Sequence, residues 1–170
     1  SASSLVEGKD PAVRDAVLAE KNWREYEDRS RAVRDKRFKY IVNHYADLPA
    51  TPPADAARSD TFKEMQRLRA AGTLPEVQSS CFLAPRPREE LYDLKADPHE
   101  LRNIAGLPAH EDTLARLRAE YRQWRVRTQE KTPRLRTPDE FDRITGKPTP
   151  ARIRPRWSKQ KMIEEGILLP

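Results

Sequence analysis

The stretch Glu89–Ala105, EELYDLKADPHELRNIA, constrains the fold more than any other part of the chain. From Glu89 to Lys95 the residues alternate. Leu91 and Asp93 fall on one face, Tyr92 and Leu94 on the other, and Pro87 and Pro98 stand on either side. Period-two spacing between prolines predicts a short strand. Asp97-Pro98-His99-Glu100 then carries the marks of a helix start, with Asp97 as N-cap, Pro98 at the first helical position and Glu100 reaching back to the cap. Leu101 and Ile104, three apart, give that single turn an apolar face. The stretch therefore predicts a strand halted by a capped turn.

Other segments supply partners for that strand. Arg31 to Asn43 is the clearest hairpin: Phe38, Tyr40 and Val42 alternate with Arg37, Lys39 and Ile41, and Asp35-Lys36 supplies the tight turn. Ala16 to Ala19 is apolar but too brief to distinguish a buried strand from a helix end. Residues 1–12 read as a loop, and Trp23 and Tyr26 follow in polar surroundings. Prolines 49, 52 and 53 make Leu48–Ala57 an extended connector. A helix starts near Ser59–Thr61, where Thr61-Phe62-Lys63-Glu64 forms a capping box worth roughly 1 kcal/mol. Phe62, Met65 and Leu68 give it one apolar face, and Gly72 stops it.

The longest helix is predicted from about His110 to Gln129. Leu114, Leu117, Tyr121, Trp124 and Thr128 recur at spacings of 3, 4, 3 and 4, a single stripe on a charged cylinder. That stripe must lie on something, most simply an antiparallel sheet made by the strands above. The predicted class is α+β: a small antiparallel sheet with one long C-terminal helix across one face, followed by an extended proline-rich tail.

The texture changes after Thr132. Prolines 133, 138, 148, 150 and 155 interrupt the tail, and Lys131–Pro170 holds ten Lys/Arg against five Asp/Glu, so it carries +5 of the net +6. Thr137-Pro138-Asp139-Glu140 is a further cap pattern, predicting one or two helical turns through Arg143. An extended run over Gly146–Arg156 and a last turn over Met162–Leu169 complete the tail. These features divide the chain into a body, 1–130, and a basic proline-rich tail, 131–170, polar enough that it is expected to wrap a larger body. No apolar run approaches the roughly 18 to 20 residues of a membrane span. Cys81 is the sole cysteine, which excludes an internal disulfide framework and a thiolate metal cluster. The start, SASSLVEGKD, lacks an initiator Met and the basic and apolar regions of a secretory leader, so the chain is expected to begin within a longer protein.

The string E-L-Y-D-L running into D-P-x-E and then Asn103-Ile104-Ala105 resembles the C-terminal signature of the sulfatase family, whose last element is N-L-A. RAVRDKRFKYIVN at Arg31–Asn43 resembles the hairpin that precedes the signature, and LARLRAEYRQW at Leu114–Trp124 the final helix. PPADAARSDTFKEM at Pro52–Met65 and the pair Arg86-Pro87 are similar to the branch containing heparan N-sulfatase, the sulfamidases. The resemblance implies the C-terminal subdomain of an alkaline-phosphatase-like sulfatase, whose partner is the missing N-terminal catalytic domain of the same chain. For the whole enzyme it implies hydrolysis of sulfate esters or the N-sulfate of a sulfated carbohydrate, with Ca²⁺ and a formylglycine made from Cys or Ser in C/S-x-P-x-R. It also implies a periplasmic, extracellular or lysosomal location.

None of that apparatus is recognisable in these residues. In Cys81-Phe82-Leu83-Ala84-Pro85-Arg86 the proline is displaced by two, and Ser79 and Ser80 also lack x-P-x-R. Cys81 reads instead as a small apolar residue beside Phe82 and Leu83. His44, His99 and His110 lack H-E-x-x-H spacing, and Asp97 and Glu100 are explained by capping. No catalytic residue, metal ligand or cofactor is therefore assigned to the chain itself. In sulfamidase-like relatives the segment matching Glu20–Tyr26 carries a histidine near the active cleft. Here Arg24 takes that place beside Trp23, and the resemblance makes Arg24 and Trp23 candidate substrate-binding residues. Arginine can grip a sulfate through paired hydrogen bonds; the competing reading has Trp23 packed between domains and Arg24 solvated. Two further functions compete with the enzyme-part reading. A basic nucleic-acid-binding module would use Arg152-Ile153-Arg154-Pro155-Arg156-Trp157, although no nucleic-acid-binding motif accompanies that run. A stand-alone interaction domain would have to manage with a thin core.

Overall fold

The computed structural model describes residues 15–153 and 159–164. The expected loop over 1–12, residues 154–158 of the basic run and the last turn beyond 164 lie outside them. The elements in order are β1 (Val17–Lys21), β2 (Ser30–Arg34), β3 (Phe38–Asn43), α1 (Ala54–Ala57), α2 (Asp60–Ala70), β4 (Glu89–Asp93), α3 (Glu111–Arg127) and α4 (Lys159–Glu164). They fall into two compact units. The first comprises the described parts of Ser1–Lys21, Ser30–His44 and Pro87–Glu130; the second, those of Asn22–Arg29, Tyr45–Arg86 and Lys131–Pro170.

The first unit is the expected α+β layer. Four strands pair antiparallel in the order β1-β2-β3-β4. The register sets Leu18 opposite Val33, Val33 opposite Tyr40 and Tyr40 opposite Leu91, so one row of apolar side chains crosses the sheet on a single face. Onto that row α3 lowers Leu114, Leu117 and Tyr121, which with Ile104 complete the core. Trp124 packs at its margin, while Thr128, at the end of the expected stripe, is exposed and caps the helix. Polar groups fasten the two layers. Glu130 accepts from buried Arg31 of β2 at 2.6 Å and from Arg125 of α3 at 3.0 Å. Arg118 of α3 donates to Glu89 of β4 at 2.8 Å, and His44 Nε2 meets the Tyr121 hydroxyl at 2.7 Å.

The turn after β4 departs from expectation. Residues 97–100 form a tight turn rather than a helical one, closed by Glu100 N–H donating to Asp97 O at 3.1 Å. Asp97 accepts from Arg102 N–H at 2.8 Å, but Glu100 does not reach back to it; that carboxylate instead takes Lys39 Nζ at 2.6 Å. Leu101 points into solvent and only Ile104 is buried. The physical reason lies one step downstream. β4 is an edge strand with unpaired backbone groups, and Asn103 satisfies them. Its Oδ1 accepts from Leu91 N–H at 3.0 Å, its Nδ2 donates to Glu89 O at 3.1 Å, and Ile104 N–H donates to Leu91 O at 2.9 Å. The chain must turn back to cover that edge, and a continuing helix would carry it away.

The carboxyl of Asp93 is held down to about 2, first by hydrogen bonds from Arg37 at 2.7 and 3.1 Å, then by the backbone N–H groups of Lys95 and Ala96. A folded value below the ordinary 3.8 means that Asp93 contributes stability above that value and loses it as pH falls toward 2. In urea titrations followed by circular dichroism, the midpoint is expected to drop across that window and to drop less steeply in Asp93→Asn. Parallel curves for the two proteins would remove Asp93 from the acid response. Some slope remains in the variant, because Glu89 (through Arg118) and Asp35 (through backbone N–H groups and Arg116) are also lowered.

The second unit is assembled from three sequence-distant pieces. Ser59, rather than Thr61, is the N-cap of α2, its hydroxyl accepting from Phe62 N–H at 3.2 Å. The helix ends in a left-handed Gly72, with Gly72 N–H donating to Arg69 O and Thr73 N–H to Leu68 O. Phe62 of α2 stacks on Phe82 at 5.2 Å, beside Ala57. A second small cluster joins Tyr26, Ala54 and Phe141. The predicted helical turns through Arg143 are absent: Phe141 bridges antiparallel to Pro148, and Asp142 Oδ1 collects the N–H groups of Ile144 and Thr145. At the bend Gly146 has φ +65, and an added Cβ would lie 2.7 Å from Arg58 Cγ and 3.2 Å from Ala54 O. Glycine is required there both by backbone conformation and by space.

Candidate functional site

Trp23 and Arg24 lie in a segment, Asn22–Arg29, that tail residues between 131 and 143 hold at Trp23, Glu25, Tyr26, Glu27 and Arg29. Trp23 Nε1–H donates to Pro138 O at 3.3 Å, Glu27 N–H to Asp139 at 2.6 Å and Glu140 N–H to Glu25 O at 2.8 Å. Thr137 N–H donates to the Glu27 carboxylate, and Arg29 Nη2 to Lys131 O at 2.8 Å. Arg143 is the central clamp. It grips Asp139 at 2.6 and 3.0 Å, donates to Glu27 O at 2.6 Å and Pro49 O at 3.0 Å, and lies 5.2 Å over the Tyr26 ring. Below this lies a buried ion pair, Asp28 with Arg86, and the Asp28 carboxylate also accepts from Arg29 N–H at 2.8 Å. Among the described residues Arg86 Nε has no hydrogen-bond partner. Burial raises the carboxyl of Glu27, opposed by the Thr137 N–H, and burial likewise raises the Tyr26 phenol.

Within this frame Trp23 is half-buried and Arg24 exposed. The arrangement can present a guanidinium to solvent from a rigid backbone. It contains no nucleophile paired with a base, and the acidic groups are spent on backbone N–H groups and arginines. Sequence reading missed Asp28, and it saw Asp139 and Arg143 only as the start and end of helical turns that the structure does not form. Arg86 was visible only within the Arg86-Pro87 pair, and nothing nearby announced its partner 58 residues away.

The remaining candidates are dispersed. Cys81 lies in a 3-10 turn, Ser80–Phe82, half-buried beside Phe62 and Phe82, and burial pushes its thiol up, against the reactive thiolate form. His44 is engaged with Tyr121, and His110 stands at the start of α3 against Phe38. Among the described residues no cluster of three or more His, Cys, Asp or Glu could hold a metal ion. Ca²⁺, which needs several converging oxygens, does not fit these residues, and Cys81 does not fit the formylglycine motif. Among the described residues no helix is long and apolar enough to cross a membrane.

No protein-family model matches the chain. Over 95 residues, 55% of the chain, it is 45% identical to an ulvan-active sulfatase of Formosa agariphila, of which the match covers 16%. The chain thus spans about one sixth of the length of that relative. Among solved structures, a 2-O GAG sulfatase aligns with 76% of this chain and 20% of its own, at 20% identity and a TM-score of 0.46. A protein in complex with its substrate D-glucosamine-2-N,6-O-disulfate aligns over 72% and 18%, at 19% identity and 0.42. The 45% identity supports a relationship to the sulfatase family.

Proposed function

We propose that this chain is the C-terminal portion of a sulfatase, a sulfuric ester or sulfamidate hydrolase. It serves as a structural subdomain, and the formylglycine, the Ca²⁺ and the catalytic residues reside in the rest of the protein. The observation that carries this reading is the 45% identity to the ulvan-active sulfatase across more than half of the chain. The substrate class we infer is a sulfated saccharide. The N-sulfate of a heparan-like chain is the narrower reading, resting on the resemblance at Pro52–Met65 and Arg86-Pro87, and the sulfate ester of an ulvan-like chain is its alternative. From the same kinship we infer a periplasmic, extracellular or lysosomal location. Arg24 is the residue of this portion best suited to touch substrate, because its exposed guanidinium rides on the clamped segment and can pair with a sulfate.

The test has two arms. The 170-residue chain alone is expected to release no sulfate from an aryl sulfate, N-sulfoglucosamine or ulvan oligosaccharides, and turnover by it would overturn the assignment of catalysis elsewhere. In the full-length protein, Arg24→Ala is expected to raise KM for the sulfated saccharide about tenfold with a smaller change in kcat. An unchanged KM would remove Arg24 from the substrate.

A further inference from the structure

The second unit contains a half-open cleft of about 550 Å³, within the roughly 300–1,000 Å³ typical of small-molecule sites. One wall is a single face of α2, where Phe62, Gln66, Arg69 and Ala70 follow one another at helical spacing. Phe82, Pro49, Thr51 and Ile144 contribute to the rest of the lining. Three features give the cleft a chemistry. First, the lining is mostly apolar and includes Phe62 and Phe82, two buried rings that stack on each other and give the cleft an aromatic wall. Second, the two arginines that touch it differ. Arg143 spends its guanidinium on Asp139, Glu27 O and Pro49 O and serves as wall, whereas Arg69 is exposed, sits 5.0 Å over the Phe82 ring and has no carboxylate partner among the described residues. Third, the cleft is held in shape by bonds across it: Gln66 Nε2 donates to Ile144 O at 2.7 Å and Arg143 Nη1 to Pro49 O at 3.0 Å. A pocket of fixed shape avoids the ordering cost of binding.

We propose that this cleft binds a small aryl anion, an aromatic ring carrying one carboxylate or sulfonate, with the ring against Phe62 and Phe82 and the charge on Arg69. Apolar walls with a single available cation among the described residues select for a ring of low polarity and one negative charge. A bare inorganic anion would leave the walls unfilled, and a neutral ring would leave Arg69 unpaired. The site is independent of the sulfatase reading, because none of the groups assigned to sulfate chemistry lines it.

The experiment is a titration of the ¹⁵N-labelled 170-residue chain with naphthalene-2-sulfonate, watched at the amides of Gln66, Ala70 and Phe82. Saturable shifts at those amides are expected, with a dissociation constant of about 0.1–1 mM. Arg69→Gln is expected to weaken binding about tenfold, and Ala70→Phe, at an exposed helix-end position, to abolish it with the circular dichroism spectrum unchanged. Four results would overturn the proposal: no saturable shift at these amides, equal binding by Arg69→Gln, equal shifts from inorganic sulfate, or tighter binding of glucose 6-sulfate than of the aryl anion. The last would turn the site into one for sulfated sugars.

Discussion

Asp28→Ala is expected to destabilise the second unit by about 3–5 kcal/mol, the cost of leaving a buried cation without its counter-ion. Both partners of the pair are buried, Asp28 at 6% exposure and Arg86 at 8%. Removing the carboxylate strips buried Arg86 of a direct charge partner, and its Nε is already without an acceptor among the described residues. It also removes the acceptor for Arg29 N–H. A second variant separates the value of the pair from the damage of breaking it. If Asp28→Leu and Arg86→Met are combined, apolar side chains of similar bulk replace both charges, and stability is expected to recover most of the loss, because the two desolvation penalties disappear together. Urea unfolding with hydrogen exchange at the amides of α2 and Tyr45–Leu48 reads both effects. A single-variant cost under about 1 kcal/mol would mean that water reaches the pair and that it behaves like a surface ion pair.

This pair also marks where sequence reading stopped. Elements whose evidence is contiguous were legible. The hairpin at Arg31–Asn43 appears as β2 and β3 joined through Asp35, the alternation after Pro87 becomes β4, and the stripe from Leu114 to Trp124 becomes the buried face of α3. In each, the period of the apolar residues is the period of the backbone, so a short window contains the answer. Cap grammar was less dependable. Asp97, Thr137 and Asp139 sit in patterns that open helices, yet an aspartate that gathers N–H groups ahead of it closes a tight turn equally well. What decides is the use of the following backbone: β4 needs its edge covered by Asn103 and Ile104, and Asp139 is taken by Glu27 N–H and Arg143. The second unit was least legible of all. Asn22–Arg29, Tyr45–Arg86 and the described part of Lys131–Pro170 meet through bonds such as Glu27 with Thr137 and Arg143 with Glu27 O, more than 100 residues apart in sequence. No local period records such pairings. The candidate Arg24 was reached only through family likeness; the clamp that fixes its backbone left no mark in the residues around it.

Leu117→Ala carries the other large expectation, about 2–5 kcal/mol, and it tests whether the first unit has the core that its periodicity implies. Leu117 has no exposed surface and sits in the cluster containing Val33, Tyr40, Leu91 and Ile104, at the centre of the face that α3 turns to the sheet. Truncation removes the transfer free energy of the lost carbons and leaves a cavity whose walls cannot close. On one side those walls are strand residues held in register by three ladders, and on the other a helix pinned by Glu130 to Arg31 and Arg125. The cost is therefore expected toward the upper part of the range. Val126, on the same helix but 80% exposed, is the control: Val126→Ala is expected to change stability by less than about 0.5 kcal/mol, since it loses no buried contact and alanine favours the helix. Urea unfolding of the two variants, with hydrogen exchange of the β2 and β3 amides, makes the comparison. If the two cost the same, the stripe on α3 would not face the sheet, and the α+β layer that the spacing from Leu114 to Trp124 implied would have to be rebuilt around a different contact.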